Sequence, residues 1–281
     1  YAKAAVDIAC YDLMGKALNV PAHVLLGGRV RDRIPITHSI GIMPPEKAAA
    51  EAAEAAAEGI RTFKLKVGLD PERDIETAKQ VRKAVGPDIH ITVDGNQGYP
   101  GPREAIRYLK RMMECDILFA EQPVEGFEAM AEVARALDLS LMHDEGAWTP
   151  QDVLRIIQYH AGDIVSLYTT KPGGLWPARK MAAVAEAGGI AANVNGSGET
   201  GVGNAANLHL AASSPAIRHS CVIPITCVEG KEPTRVAMRV YNDDIVREPF
   251  GYADGHLAVP DGSGLGIELD EEKMDKYRVP L

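Results

Sequence analysis

The feature that most limits what this chain can fold into is a rhythm. A short aliphatic or β-branched run is followed by a longer amphipathic stretch, and the pair recurs through most of the sequence. The expected strands are Ile34–Ile40, Thr62–Val67, Ile89–Asp94, Ile117–Glu121, Ser140–Asp144, Ile164–Leu167, Ile190–Asn195 and Cys221–Ile225. Their starts lie about 23–30 residues apart, the length of one strand–helix unit. Between them the spacing predicts helices over Glu46–Glu58, Asp74–Val85, Arg103–Glu114, Ala129–Leu137, Pro150–Tyr159, Pro177–Ala187 and Gly203–Ala212. Alternation of this kind predicts an α/β chain with a parallel sheet, and eight units are the number that closes a (β/α)8 TIM-type barrel. A doubly wound open sheet is the alternative, and it requires a break in strand order.

The two ends depart from the rhythm. Tyr1–Leu18 reads as a helix, with Ala5, Ile8, Ala9, Leu13 and Leu18 recurring near the helical period. The chain opens inside that pattern without a Met, so a preceding segment is expected. Beyond about Thr226 the alternation stops; Val236–Tyr241, Gly255–Val259 and the turn Pro260-Asp261-Gly262-Ser263-Gly264 read as β structure outside the barrel. The expected organisation is a barrel over 29–235 flanked by residues 1–28 and 236–281, which share a second, smaller domain.

Composition removes several function classes. An apolar fraction of 46% with only 5% aromatics supports a large aliphatic core. A net charge of −9 argues against nucleic acid and anionic membranes as partners, since both are bound by clustered Lys and Arg. No run of about 18 apolar residues is present to span a bilayer. Cys10, Cys115, Cys221 and Cys227 are scattered, indicating neither a zinc site nor a disulfide framework and fitting a reducing cytoplasm.

The chemistry of a barrel gathers where its strands end. Three successive expected strands each deliver a carboxylate there: Asp94, Glu121 and Asp144. Three converging carboxylates repel unless a cation sits among them, and an all-oxygen donor set suits Mg²⁺. The bland alternative is that each acid caps the next helix. Lys64 and Lys66 alternate on one strand and so share a face. Two neighbouring ammonium groups lower each other's pKa, and a lysine brought toward neutrality can serve as a general base. The alternative here is a surface strand with snorkelling lysines.

Two motifs compete. Gly196-Ser197-Gly198-Glu199-Thr200-Gly201 fits G-x-G-x-x-G, but no acid follows about 20 residues on and it stands in the seventh unit, so dinucleotide binding is not expected. Asp94-Gly95-Asn96 starts like a calcium loop, but the twelfth position is Ala105.

In order and spacing the chain resembles the enolase superfamily, in its muconate lactonizing enzyme and mandelate racemase branch. The residues that carry the likeness run nearly end to end. They are Ala4-Ala5-Val6-Asp7, Asp12-Leu13-Met14-Gly15-Lys16, Leu25-Leu26-Gly27-Gly28, the Lys64/Lys66 pair, Asp94-Gly95-Asn96, Glu121-Gln122-Pro123, Asp144-Glu145, Lys171-Pro172-Gly173-Gly174, Pro260-Asp261-Gly262 and Gly264-Leu265-Gly266. The resemblance implies an α+β capping domain formed by both chain ends. It implies Mg²⁺ held by Asp94, Glu121 and Asp144, Lys66 removing the proton α to a substrate carboxylate, and Lys64 tuning Lys66 and stabilising the enediolate. It also shows a departure. Relatives with two bases carry a lysine at the position of Tyr168, or an aspartate there with a histidine at the position of Asn195.

One base favours a one-face reaction, a dehydratase (lyase) or cycloisomerase (isomerase) acting on a small hydroxy, imino or unsaturated acid. A racemase or epimerase with Tyr168 as second acid/base is the alternative. His38, Asn195, Lys171 and Glu199 are expected substrate contacts, with Trp148 and Trp176 lining the mouth. The rivals are a Schiff-base aldolase using Lys66 as nucleophile and a non-catalytic barrel. The expected partner is a small carboxylate, and a homo-oligomer is compatible with the exposed helices.

Overall fold

The computed structural model describes residues 1–196, 198–224, 237, 243–248 and 250–279. After helices α1 (Ala2–Leu18) and α2 (Ala22–Leu25) and strand β1 (Arg33–Pro35), the alternation appears as read. It runs β2 (Thr37–Ile40), α3 (Pro45–Ala57), β3 (Thr62–Lys66), α4 (Pro71–Val85), β4 (His90–Asp94), α5 (Pro102–Met112), β5 (Ile117–Glu121) and α6 (Phe127–Ala136). It continues with β6 (Ser140–His143), α7 (Pro150–Tyr159), β7 (Ile164–Leu167), α8 (Leu175–Ala187), β8 (Ala191–Val194) and α9 (Gly201–Ser213). The chain then adds β9 (Tyr252–Ala253), β10 (His256–Ala258) and α10 (Glu271–Lys276).

Strands β2 to β8 form one parallel seven-stranded sheet in sequential order. The order never reverses, which removes the doubly wound alternative. The eighth expected strand, Cys221–Ile225, is seen as two single parallel bridges, Cys221 to Ile36 and Val222 to Asn195, with Ile225 outside the described residues. This segment therefore touches both edges of the curled sheet.

Alternation sorts the side chains. Phe63, Leu65, Ile91, Val93, Leu141, Val165, Ala192 and Val194 join the main core beneath the helices. Phe119, Met142, Ile164 and Ala191 form a separate apolar cluster on the concave side. The helices offer small residues to the sheet: Ala48, Ala52 and Ala55 of α3 are fully buried, a spacing of one helix face. Helix starts follow local chemistry. Asp70 accepts from Arg73 N ahead of Pro71, and Thr149 and Asp152 cap α7 reciprocally.

Three expectations change. Ile34–Ile40 is two strands, not one: β1 pairs with β10 in a separate three-stranded antiparallel sheet, and β2 opens the parallel sheet. Pro35, which has no N–H to give, stands at the crossing, and Cys221 N donates to its carbonyl at 2.8 Å. Gly255–Val259 becomes β10, joined to β9 by Asp254-Gly255, both at positive φ as a tight hairpin requires. Helix α1 forms as expected but buries Ala4, Ile8 and Gly15, while Leu13 and Leu18 face outward. The expected strand Val236–Tyr241 lies outside the described residues, Ala237 excepted, and so does Cys227.

Candidate active site

Parallel register brings the strand-end residues to one level. Lys66 stands opposite Asp94, and Asp94 opposite Glu121. Lys64 Nζ, on the same face as Lys66, lies 2.9 Å from Asp94 Oδ2 and 2.8 Å from Glu121 Oε1. Lys66 Nζ lies 2.6 Å from Asp94 Oδ2 and donates to Asn96 Oδ1 at 2.7 Å. From the loop after β7, Lys171 reaches back to Asp144 Oδ1 at 2.6 Å and to the Asp144 and Ser166 carbonyls at 2.7 and 3.2 Å. Its ammonium also stands 4.5 Å from the centre of the Tyr168 ring. Lys64, Lys66, Asp94, Glu121, Asp144, Tyr168, Lys171 and Asn195 are thus drawn into one cluster.

Asn195 is almost wholly buried. Its Nδ2 donates to Ser166 Oγ at 2.9 Å and to Glu121 Oε1 at 3.4 Å, and its Oδ1 accepts from Asn193 Nδ2 at 2.9 Å. It serves the floor beneath Glu121 rather than an open substrate edge. His38 lies elsewhere. It is buried between β2 and α3, with Nε2 at 2.8 Å from Glu51. Glu199 accepts from Thr170 Oγ1 at 3.2 Å and from Gly198 N at 3.0 Å, tying together the loops after β7 and β8. Carboxylates therefore occupy amides of the glycine-rich loop: Asp244 takes Gly201 N at 2.8 Å, leaving a poor phosphate cradle. Trp148 and Trp176 are exposed, and Trp148 Nε1 donates to Glu145 O at 2.7 Å.

Charge inside this cluster departs from expectation. Burial works against the Lys64 ammonium, but Asp94 and then Glu121 outweigh it and hold its pKa well above the ordinary lysine value. Mutual lowering by a second lysine does not decide the matter for Lys64, because two carboxylates are nearer. Burial also opposes the Asp94 carboxylate, yet Lys64 and Lys66 keep its pKa low. Glu121 carries the crowding: burial and then Asp94 push it up to about 8. Burial, then Asp144, drives the Tyr168 phenol well above its usual value. Tyr168 is therefore a neutral phenol and a weaker acid than its residue type suggests.

The structure gives roles to motif residues for which the sequence predicts none. Gln122 Oε1 accepts from Asp144 N at 2.9 Å and Gly146 N at 3.0 Å, fixing the end of β6 from the end of β5. Asn96 Nδ2 donates to Glu145 Oε1 at 2.8 Å. Asn96, Gln97 and Gln122 all hold positive φ, the constrained backbone that gathers at working loops. In the sequence Asn96 and Gln122 stand just after strand-end acids, within the Asp94-Gly95-Asn96 and Glu121-Gln122-Pro123 motifs that carry the family resemblance, but nothing local shows which groups they bind.

The donor set fits a hard divalent cation. Its oxygens come from three adjacent strand ends, ammonium groups already neutralise them, and Glu145 Oε2 beside Asp144 is buried with no hydrogen-bond partner. Among the described residues no group of three His, Cys, Asp or Glu side chains is arranged to hold an ion.

A parallel sheet with lysines and carboxylates facing each other at its strand ends defines a class, and comparison agrees: the chain belongs to the enolase C-terminal domain-like family, whose model matches residues 47–273. More closely, it falls in the superfamily's muconate lactonizing enzyme and mandelate racemase branch and is an enzyme of that group. It is 36% identical to the N-succinyl-L-Arg/Lys racemase of Bacillus cereus, covering 99% of this chain and 72% of that one, and the crystal structure of that racemase superposes with a TM-score of 0.90. It is 34% identical to muconate cycloisomerase 1 of Rhodococcus opacus, again over 99% and 72%. A dipeptide epimerase from Enterococcus faecalis, solved with Mg and the dipeptide L-Leu-L-Tyr, is 31% identical, covers 95% and 72%, and gives a TM-score of 0.84. These relatives are isomerases.

Proposed function

We propose that the protein abstracts the proton α to the carboxylate of a small acid, with Lys66 as the base. The observation that carries this is the lysine pair. Lys64 is sealed beneath the carboxylates, while Lys66, whose side chain is 30% exposed, presents the accessible ammonium at the mouth. Asp94, Glu121 and Asp144 would hold Mg²⁺. When bound, Mg²⁺ supplies the positive charge that fixes a substrate carboxylate and lowers the cost of charge developing beside it.

The remaining steps belong to this chain's own groups. The Lys66 amine takes the α-proton. The C–H electron pair moves into the carboxylate to give an enediolate. Lys64, held protonated by Asp94 and Glu121, stands below to stabilise that charge. The electron pair then expels a β-leaving group on the same face, either a hydroxyl that departs as water with the proton held by Lys66 or a ring oxygen that opens the ring. Ring closure is the reverse, in which a substrate oxygen adds to the double bond to give the enediolate and protonated Lys66 delivers its proton to Cα. This is a dehydratase or cycloisomerase reaction on a small hydroxy, imino or unsaturated acid. Full (β/α)8 closure by residues 221–225, and a small domain built from residues 1–28 and 236–281, belong to the same reading. The free thiols of Cys10, Cys115 and Cys221 suit a reducing, cytoplasmic setting.

A second reading, a racemase or epimerase, is favoured by the relatives' reactions and by Tyr168 on a strand end across the sheet from β3. Incubation with a carboxylate library in deuterated water and Mg²⁺ separates the two. One-face chemistry incorporates deuterium at Cα with retained configuration, whereas a racemised pool supports the second reading. Lys66→Ala is expected to lower exchange by about 10²–10⁴-fold, the usual contribution of a general base. Exchange that survives Lys66→Ala would remove the assignment, and a borohydride-trapped, metal-independent adduct would favour the aldolase.

A further inference from the structure

We infer that Asp7 is a positioning residue for this site, acting through the N-terminus of α8 and the Gly173-Gly174 turn to hold Lys171 on Asp144. The inference rests on the proposed function for its catalytic meaning, but its geometry stands independently. Asp7 lies on α1, far away in sequence. Its Oδ2 accepts from Leu175 N at 2.6 Å and from Trp176 N at 3.4 Å, the first two amides of α8. The residue before that helix is Gly174, which has no side chain to cap it, so a carboxylate from another element takes the role and meets the positive end of the helix.

The double glycine of Lys171-Pro172-Gly173-Gly174 follows from this docking. Gly174 has φ +133°, and a Cβ there would collide with the Asp7 side chain. A Cβ on Gly173 would press on Lys3 Cβ at 3.3 Å. Gly174 N in turn donates to Thr169 O at 2.7 Å, closing the loop that carries Tyr168 and Lys171. Within that loop the Lys171 side chain is only 8% exposed, bound to Asp144 and standing over the Tyr168 ring. The contacts are continuous: α1, the start of α8, the turn, the ammonium, then a strand-end carboxylate.

Helix α1 supplies its own control. Asp12 makes the corresponding contact with the C-terminal segment, accepting from Leu265 N at 2.8 Å, and does not touch the turn. Loss of either aspartate unties α1 from a neighbour, but only Asp7 leads to the site.

The test labels lysines of the folded full chain with an amine-reactive ester and reads each position by peptide mass spectrometry. Asp7→Ala is expected to raise labelling of Lys171 severalfold while Lys64 stays protected. Asp7→Asn, which keeps an acceptor, restores the wild-type pattern, and Asp12→Ala leaves Lys171 protected. In the deuterium-exchange assay Asp7→Ala is expected to slow exchange by as much as about 10²-fold, the cost of a small misplacement, and Asp12→Ala is not. If Asp7→Ala does not fold, Asp7→Ser gives the same labelling comparison with a short acceptor retained, and partial release of Lys171 is expected. Unchanged Lys171 labelling in Asp7→Ala, or equal release in Asp12→Ala, overturns the inference. Absence of exchange in the wild type would sink the proposed function alone, since the labelling result does not depend on it.

Discussion

Tyr168 shows how a residue's type and its surroundings can disagree. By sequence it stands where the family resemblance implies a lysine as second base, and a phenol is a fair acid in water. In the structure burial and Asp144 push its pKa well up, so it stays neutral across any working pH. Tyr168→Phe is therefore expected to leave deuterium exchange within a few-fold of wild type. A loss comparable to that of Lys66→Ala would make the phenol a proton donor instead. Lys64 teaches the converse. Its proximity to Lys66 was legible, but the sign of its shift was not, because the nearest charges are Asp94 and Glu121 from other strands.

At the scale of elements, α1 carries two consequences that propensity alone would misjudge. Gly15 is buried in its interior, where alanine normally stabilises a helix by about 1 kcal/mol. Here a Cβ would fall 2.6 Å from Gly264 Cα, a backbone atom that cannot turn aside. Gly15→Ala is thus expected to lower Tm, and a rise would show that the C-terminal segment yields. Nearby, His209 of α9 donates from Nε2 to Leu265 O at 3.1 Å and accepts at Nδ1 from His23 N at 3.3 Å. Burial, against that carbonyl bond, pushes its pKa down to about 4. The unfolded chain, with an ordinary histidine near 6.5, binds more protons between those values. The stabilisation is complete above about pH 6.5 and is lost as pH falls toward 4, by on the order of 3 kcal/mol. Urea denaturation at pH 7 and pH 4.5 measures it; His209→Gln should shrink the difference, and an unchanged slope would place the acid sensitivity elsewhere.

For the whole molecule, the crowded carboxylates predict linkage between ion binding and stability. On the proposed reading Mg²⁺ would bind only the folded arrangement, so a hundredfold excess over Kd should add about 2.7 kcal/mol. Thermal unfolding with and without Mg²⁺ reads this directly. Asp94→Asn, which removes the carboxylate shared by both lysines, should erase the shift, and a shift that persisted would locate the ion away from these strand ends. No helix among the described residues is long and apolar enough to cross a membrane.

Local chemistry decided the alternation, the cap residues and the strand-end acids, because apolar period, turn residues and capping groups act over a few neighbours. Those rules placed β2 to β8, α3 to α9 and the Lys64, Lys66, Asp94 and Glu121 constellation in advance. They could not aim His38 at Glu51, and they predict Ile34–Ile40 as one strand, since nothing local reveals that Pro35 leaves one sheet before Thr37 enters another. Only the tertiary structure decided what depends on distant partners: Lys171 folded back onto Asp144, Asn195 withdrawn beneath Glu121, and Asp7 seated on Gly174. Each of these is a contact across dozens of residues or more, fixed by desolvation and charge in a shared interior, and no window of sequence contains both halves of it.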